Sequence, residues 1–272
     1  MKKQKIELNI LVFILMEALF LLFGFKESLL NILLGTILGI ILIYIFAKIP
    51  QNKITKIILL LITLIFSINI FFSISSFITN NLLKNYSFIF IIISFIVISL
   101  LLAKKNYHSY IKSLEIASYF FVIIKLFSFF LVIGNIDFSN FNYQLLDETK
   151  LSFHFIYISL FIFILHQLIY YLTMHQVHKK IYILSIINPI IMKLTAILVM
   201  GRTLVYLYDY PYMSVLKRIK YLDFIERMEG ILSFEYLFCF FFLTSFILLF
   251  IKIIAKDLFQ KINWINQFIS NH

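Results

Sequence analysis

Long apolar runs separated by short polar stretches organise the whole chain. A helix crosses the hydrocarbon core of a bilayer with about 20 mostly apolar residues, within a range of roughly 17 to 25. Runs of this kind predict eight spans, at 8–25, 29–49, 54–79, 86–103, 111–134, 151–173, 181–208 and 231–254. The expected fold class is an all-α, polytopic transmembrane helix bundle, with 1–272 as a single integral membrane domain. The first run follows Met1, Lys2 and Lys3. It is long, contains Glu17 and lacks a small-x-small cleavage site before Lys26, so it reads as a retained helix rather than a signal peptide.

Two other segments have a helical period without the apolarity of a span. Between 209 and 230, Tyr212, Val215, Leu216, Ile219, Leu222, Ile225 and Met228 recur at three- and four-residue steps, and charged residues fill the other face. This pattern predicts an outer amphipathic helix over about 211–229. Pro211 suits its first turn, where the missing donor would be unpaired anyway, and Gly230 suits its end. The tail repeats the pattern with Leu258, Phe259, Ile262, Ile265 and Phe268, beside Trp264, and predicts a helix over about 256–270 in the inner interface.

Composition settles the solvent. The chain is 62% hydrophobic and 14% charged, with 33 Phe, whereas soluble chains are about 45 to 50% apolar and about 25% charged. The lipid bilayer is the expected surrounding. The net charge of +11 then needs no nucleic acid, because Lys and Arg gather on cytoplasmic loops as an orientation signal. Taken alternately, one side holds Lys2, Lys3, Lys5, Lys48, Lys53, Lys56, Lys104, Lys105, Lys112, Lys179, Lys180, Lys252, Lys256 and Lys261. The other holds Lys26, Lys84 and Lys150 and an acidic stretch with Asp137, Asp147 and Glu148. Within 209–230, Lys217, Arg218, Lys220 and Arg227 are nearly cancelled by Asp209, Asp223, Glu226 and Glu229. The expectation is a multi-pass protein of the cell membrane with both termini cytoplasmic.

Ionisable groups inside spans mark candidate sites, since a central charge costs about 2.5 to 3.5 kcal/mol on insertion scales and usually faces the bundle interior. Glu17, Lys125, Lys193 and Glu235 are such groups. Glu17 and Lys125 are similarly deep; a pair between them is either a proton- or cation-responsive switch or a strut that fixes helix register. Lys193 follows Pro189 by four, where a proline loosens the helix. Glu235 is about one turn inside the last span, shallow enough to be reached by water. His154 and His166, twelve apart, are too far for one metal, so hydrogen-bonded packing is expected. Asn69, with Ser67 and Ser73, either lines a pathway or bonds across helices. Gly35 and Gly39 form GxxxG, a close-packing face. With one cysteine, Cys239, there is no disulfide framework. HExxH, GxSxG, P-loop and GxGxxG patterns are absent, so the reading is of a non-enzyme with no catalytic residue, cofactor or metal.

One stretch is more specific. Gly201, then Tyr210-Pro211-Tyr212, Arg218-Ile219 and Phe224-Ile225-Glu226-Arg227-Met228-Glu229 follow the order Tyr-Pro, Arg-Ile, aromatic-aliphatic-Glu-Arg-x-Glu. This resembles the segment between the seventh and eighth helices of the endospore germinant-receptor permeases, the B subunits of nutrient receptors within the amino acid, polyamine and organocation transporter superfamily. Weaker similarity runs through 27–50 and 104–140. The resemblance implies an inverted-repeat, transporter-like fold whose lid over the ligand vestibule is shaped by Tyr210, Pro211, Arg218, Glu226, Arg227 and Glu229. Glu17, Asn69, Lys125 and His166 are the residues expected around a central ligand-binding cavity.

The implied protein binds a small-molecule nutrient, an amino acid by preference, and signals to partners, a larger membrane subunit and a lipoprotein, in the inner spore membrane. Eight spans in place of the family's ten leave the second repeat truncated. The first and sixth spans lack a central Gly or Pro, and Tyr236 stands where the family usually has Trp. These departures point to sensing rather than turnover. A stand-alone secondary transporter and a non-transporting membrane scaffold remain the alternatives.

Overall fold

In hydrocarbon no water is available to bond backbone amides, so an apolar run must satisfy them internally, and a helix does so within one segment. The computed structural model describes residues 2–24, 28–46, 52–83, 86–105, 107–140, 154–173, 180–208, 210–218 and 228–270. Among them every regular element is helical. In chain order these are α1 (Lys2–Leu19), continued by a π-helical turn (Phe20–Gly24), α2 (Leu29–Ile45), α3 (Lys53–Asn81), α4 (Phe88–Ala103) and α5 (Tyr107–Ile133). A 3-10 turn (Phe138–Asn140) precedes α6 (His154–Thr173), α7 (Lys180–Met200), α8 (Arg202–Leu207), α9 (Pro211–Arg218) and α10 (Met228–Ser270).

Five of these helices are long and apolar enough to cross a membrane: α3, α5, α6, α7 and α10 over Leu232–Leu258. They define a membrane-embedded, all-helical protein. The runs at 29–49 and 86–103 form the shorter apolar helices α2 and α4, of 17 and 16 residues. The first run forms α1, whose hydropathy is reduced by Glu7, Glu17 and its lysines. Proline does not break α7, which runs continuously past Pro189.

Pro211 is the first residue of α9, as its missing donor favours. The expected lid helix is described only to Arg218; 219–227 lie outside the described residues. Gly230, expected to end that helix, instead lies in the first turn of α10, exposed and with no neighbour crowding it. The last span and the tail form one helix of 43 residues, since nothing between 231 and 270 is a proline or glycine.

The chain forms two units. The first comprises Met1–Ile45 and Ile111–Phe242. Within it α2 packs along α6 and α1 along α7. A Cβ on Gly35 would lie 2.8 Å from the Phe155 carbonyl oxygen, and one on Gly39 3.0 Å from Ile162 Cβ. This is the close backbone approach that the GxxxG pattern predicts, and in a bilayer such packing, rather than transfer from water, drives helices together. The end of α7 is closed by the loop after α5: the Leu198 carbonyl accepts from the Asp137 N–H at 3.2 Å and from Asn140 Nδ2 at 2.9 Å. Two donors thus satisfy a carbonyl that the helix terminus would leave open.

The second unit comprises Phe46–Tyr110 and Leu243–His272. Here α3 packs on α4, and Ser75 Oγ donates to the Phe88 carbonyl at 3.0 Å. Ser99 and Thr244 share a buried hydroxyl bond of 2.7 Å. At the C-terminal end of α4, Lys252 Nζ donates to the carbonyls of Ala103 and Lys104 at 3.2 and 3.1 Å, a cation meeting the negative end of the helix dipole. Lys56 pairs with Asp257.

Candidate functional site

Four helices of the first unit bring ionisable and amide groups to one place. On α5, Lys125 Nζ donates to Glu17 Oε1 of α1 and lies 3.5 Å from Glu235 Oε1 of α10. From α7, Asn188 Nδ2 donates to the same Glu17 oxygen at 3.2 Å. Side-chain exposure is 14% for Lys125, 2% for Glu17 and 0% for Glu235. The set is therefore inside the unit, as the insertion cost of a central charge requires.

Helical spacing explains the assembly. Phe13 is one turn before Glu17 on α1, and its ring centroid is 5.7 Å from Lys125 Nζ. Such a ring face attracts a cation. Ser128, three residues after Lys125, donates to the Lys125 carbonyl at 3.0 Å, and the Tyr212 hydroxyl of α9 donates to Ser128 Oγ at 3.5 Å. Cys239, fully buried, follows Glu235 by one turn. Two carboxylates thus share one ammonium. Glu17 Oε2 and both oxygens of Glu235 have no hydrogen-bond partner.

Beside this cluster is a cavity of about 170 Å³. Its polar wall is Lys125, Ser128, Asn188, Thr195 and Tyr212, and its apolar wall is Leu126, Phe129, Ile191 and Met192. On α7, Asn188, Met192 and Thr195 recur at four- and three-residue steps and so share a face.

The expected residues divide accordingly. Glu17 and Lys125 form the pair that their depths suggested. Glu235, expected to be wet, is fully buried against Lys125; the elements around it decide its exposure, not its distance from the helix end. Lys193, four residues after Pro189, is fully buried. Asn69 is exposed on α3, which belongs to the second unit. His166 is buried on α6, with its Nδ1 3.0 Å from the Tyr182 hydroxyl, in the packing role expected for it and outside the cavity wall. Tyr210 has its ring centroid 6.4 Å from that of Tyr236. Pro211 is buried at the start of α9, and Arg218 ends that helix. Glu226 and Arg227 lie outside the described residues, and Glu229 belongs to the first turn of α10.

Sequence reading passed over Asn188, Ser128, Thr195 and the inward role of Tyr212. For Asn188 a signal existed: an amide in the middle of an apolar run, next to a proline. Among the described residues no three His, Cys, Asp or Glu gather as a metal site.

No family model, curated protein or solved structure matches this chain. Its class rests on its own helices and cluster: a membrane-embedded helical protein with a buried Glu-Lys-Glu group beside a small cavity.

Proposed function

We propose that the chain is the membrane subunit of a nutrient receptor of the endospore germinant-receptor kind, binding a small ligand, an amino acid by preference, and signalling to partner subunits. The observation that carries this reading is the cavity of about 170 Å³ and its mixed wall. Drug-sized ligands take roughly 300–1,000 Å³, so the space suits only a small molecule. Lys125 suits a ligand carboxylate, while Ser128, Thr195, Tyr212 and the Asn188 amide supply the few convergent polar groups that orient a zwitterion. Tyr212 belongs to the Tyr-Pro-Tyr stretch on which the resemblance rests, and its place in the wall supports a lid role for α9. In this reading both termini are cytoplasmic, and the partners are a larger membrane subunit and a lipoprotein.

The test is a mild-detergent pull-down of the tagged chain from its native membranes with mass spectrometry of stoichiometric companions. A second membrane subunit with a lipoprotein is the expected result; recovery of the chain alone overturns it. A stand-alone secondary transporter is the second reading, favoured by a buried ionisable cluster on the wall of the same cavity. Concentrative amino acid uptake into vesicles containing only this protein would establish it.

A further inference from the structure

The charges of the cluster do not close. Lys125 Nζ donates to Glu17, which Asn188 also serves, while Glu235 is fully buried and neither of its oxygens is hydrogen-bonded. Lys125 is 3.5 Å from Glu235 but without hydrogen-bond geometry. A buried carboxylate without such bonds costs several kcal/mol, and in practice the group neutralises instead.

Among the described residues, the groups that face Glu235 include one cation. They are Lys125 on α5, with Glu17 of α1 and Asn188 of α7 behind it, Tyr212 on α9, and Tyr236 and Cys239 on α10 itself. Lys193 of α7 is also fully buried and has an interaction of its own. In the group itself two acids meet one lysine, and a proton is the one cation that can neutralise the second acid without a coordination shell.

We infer that Glu235 is a proton-binding site, its carboxyl held as the neutral acid in this conformation and exchanging its proton with water in the cavity past Lys125. A hydronium delivers the proton to a Glu235 carboxylate oxygen and leaves as water; release is the reverse, and no heavy-atom bond changes. The route is short, because Lys125, Ser128 and the Tyr212 hydroxyl line the cavity. The site stands whether the chain senses or transports, so failure of the receptor reading leaves it intact.

Infrared difference spectroscopy of the full chain in lipid nanodiscs, in H2O and D2O, tests it on wild type, Glu235→Gln and Glu17→Gln. The expected result is a deuterium-sensitive protonated-carboxyl band that is lost in Glu235→Gln, kept in Glu17→Gln and unaffected by sodium or potassium. A wild type without the band, a band surviving Glu235→Gln, or one removed by either metal ion overturns the proposal. Should Glu235→Gln not fold, Glu235→Asp must shift the band and Glu17→Asp must leave it unmoved.

Discussion

The two units differ in where they place charged groups. In the second, hydroxyls inside spans are satisfied close by: Thr63 donates to the Leu59 carbonyl at 2.6 Å, Ser67 to that of Leu64 at 2.7 Å, and Ser99 bonds Thr244. Its charges stand at helix ends, where Lys252 caps α4 and Lys56 meets Asp257, and Ser245 Oγ is a buried atom without a partner. The first unit instead buries two acids and a lysine mid-helix and leaves three carboxylate oxygens unbonded. The contrast is one of charge: the first unit holds a buried Glu-Lys-Glu group, while the ion pair and the capping lysine of the second stand at helix ends.

The sharpest way to break this contrast is to remove a lysine from each side. Lys125→Met strands the buried Glu17 carboxylate without its cation, and breaking a buried pair in this way costs about 3–5 kcal/mol. Lys252→Met removes bonds at an exposed helix end and is expected to cost less than about 1 kcal/mol. Thermal unfolding in detergent reads both, and equal losses would end the distinction.

Packing comes next. Gly35→Ile drives a side chain into the Phe155 backbone carbonyl, which cannot rotate away, and overpacking of this kind costs about 1–3 kcal/mol. The same substitution at Gly230, with open space around it, is expected to leave the melting temperature unchanged or raise it.

Ser99→Ala probes the quieter unit. Interhelical hydrogen bonds in membranes average about 0.6 kcal/mol, so the Ser99→Ala, Thr244→Val cycle should return a coupling near that value; a coupling several times larger would put a strong polar contact in the unit without the buried charge group.

The smallest effect is at Asp137, fully exposed after α5. Bonds from the Ser139 side chain and backbone N–H hold its carboxyl below the usual carboxylate range. A depressed folded value means that its stabilisation is present above the unfolded carboxyl range and is lost as pH falls through the folded one. The protection factor of the Ser139 amide, its exchange relative to the intrinsic base-catalysed rate, should fall on acidification in the wild type and stay unchanged in Asp137→Asn.

Much of the first unit was readable along the chain. Apolar length located the helices, the GxxxG spacing predicted the α2 to α6 approach, and equal depth paired Glu17 with Lys125. Asn69 and Glu235 were misjudged in opposite directions, one expected inside and found exposed, the other expected wet and found fully buried. Depth within a span is a one-dimensional quantity, whereas exposure depends on which neighbour covers each side of the helix. Asn188 was missed for the same reason: only when α7 lies against α1 does its amide meet Glu17.

By itself, the sequence determined the solvent and the helical class, because apolar run length and the absence of water in hydrocarbon leave the backbone no other option. It also determined that charges placed inside spans would be drawn inward. Only the tertiary structure decided which of them meet, that two acids share one lysine, and that Glu235 is left without a hydrogen bond. Those outcomes depend on the rotation of each helix about its own axis, which is set by packing against its neighbours and is written in no single run of residues.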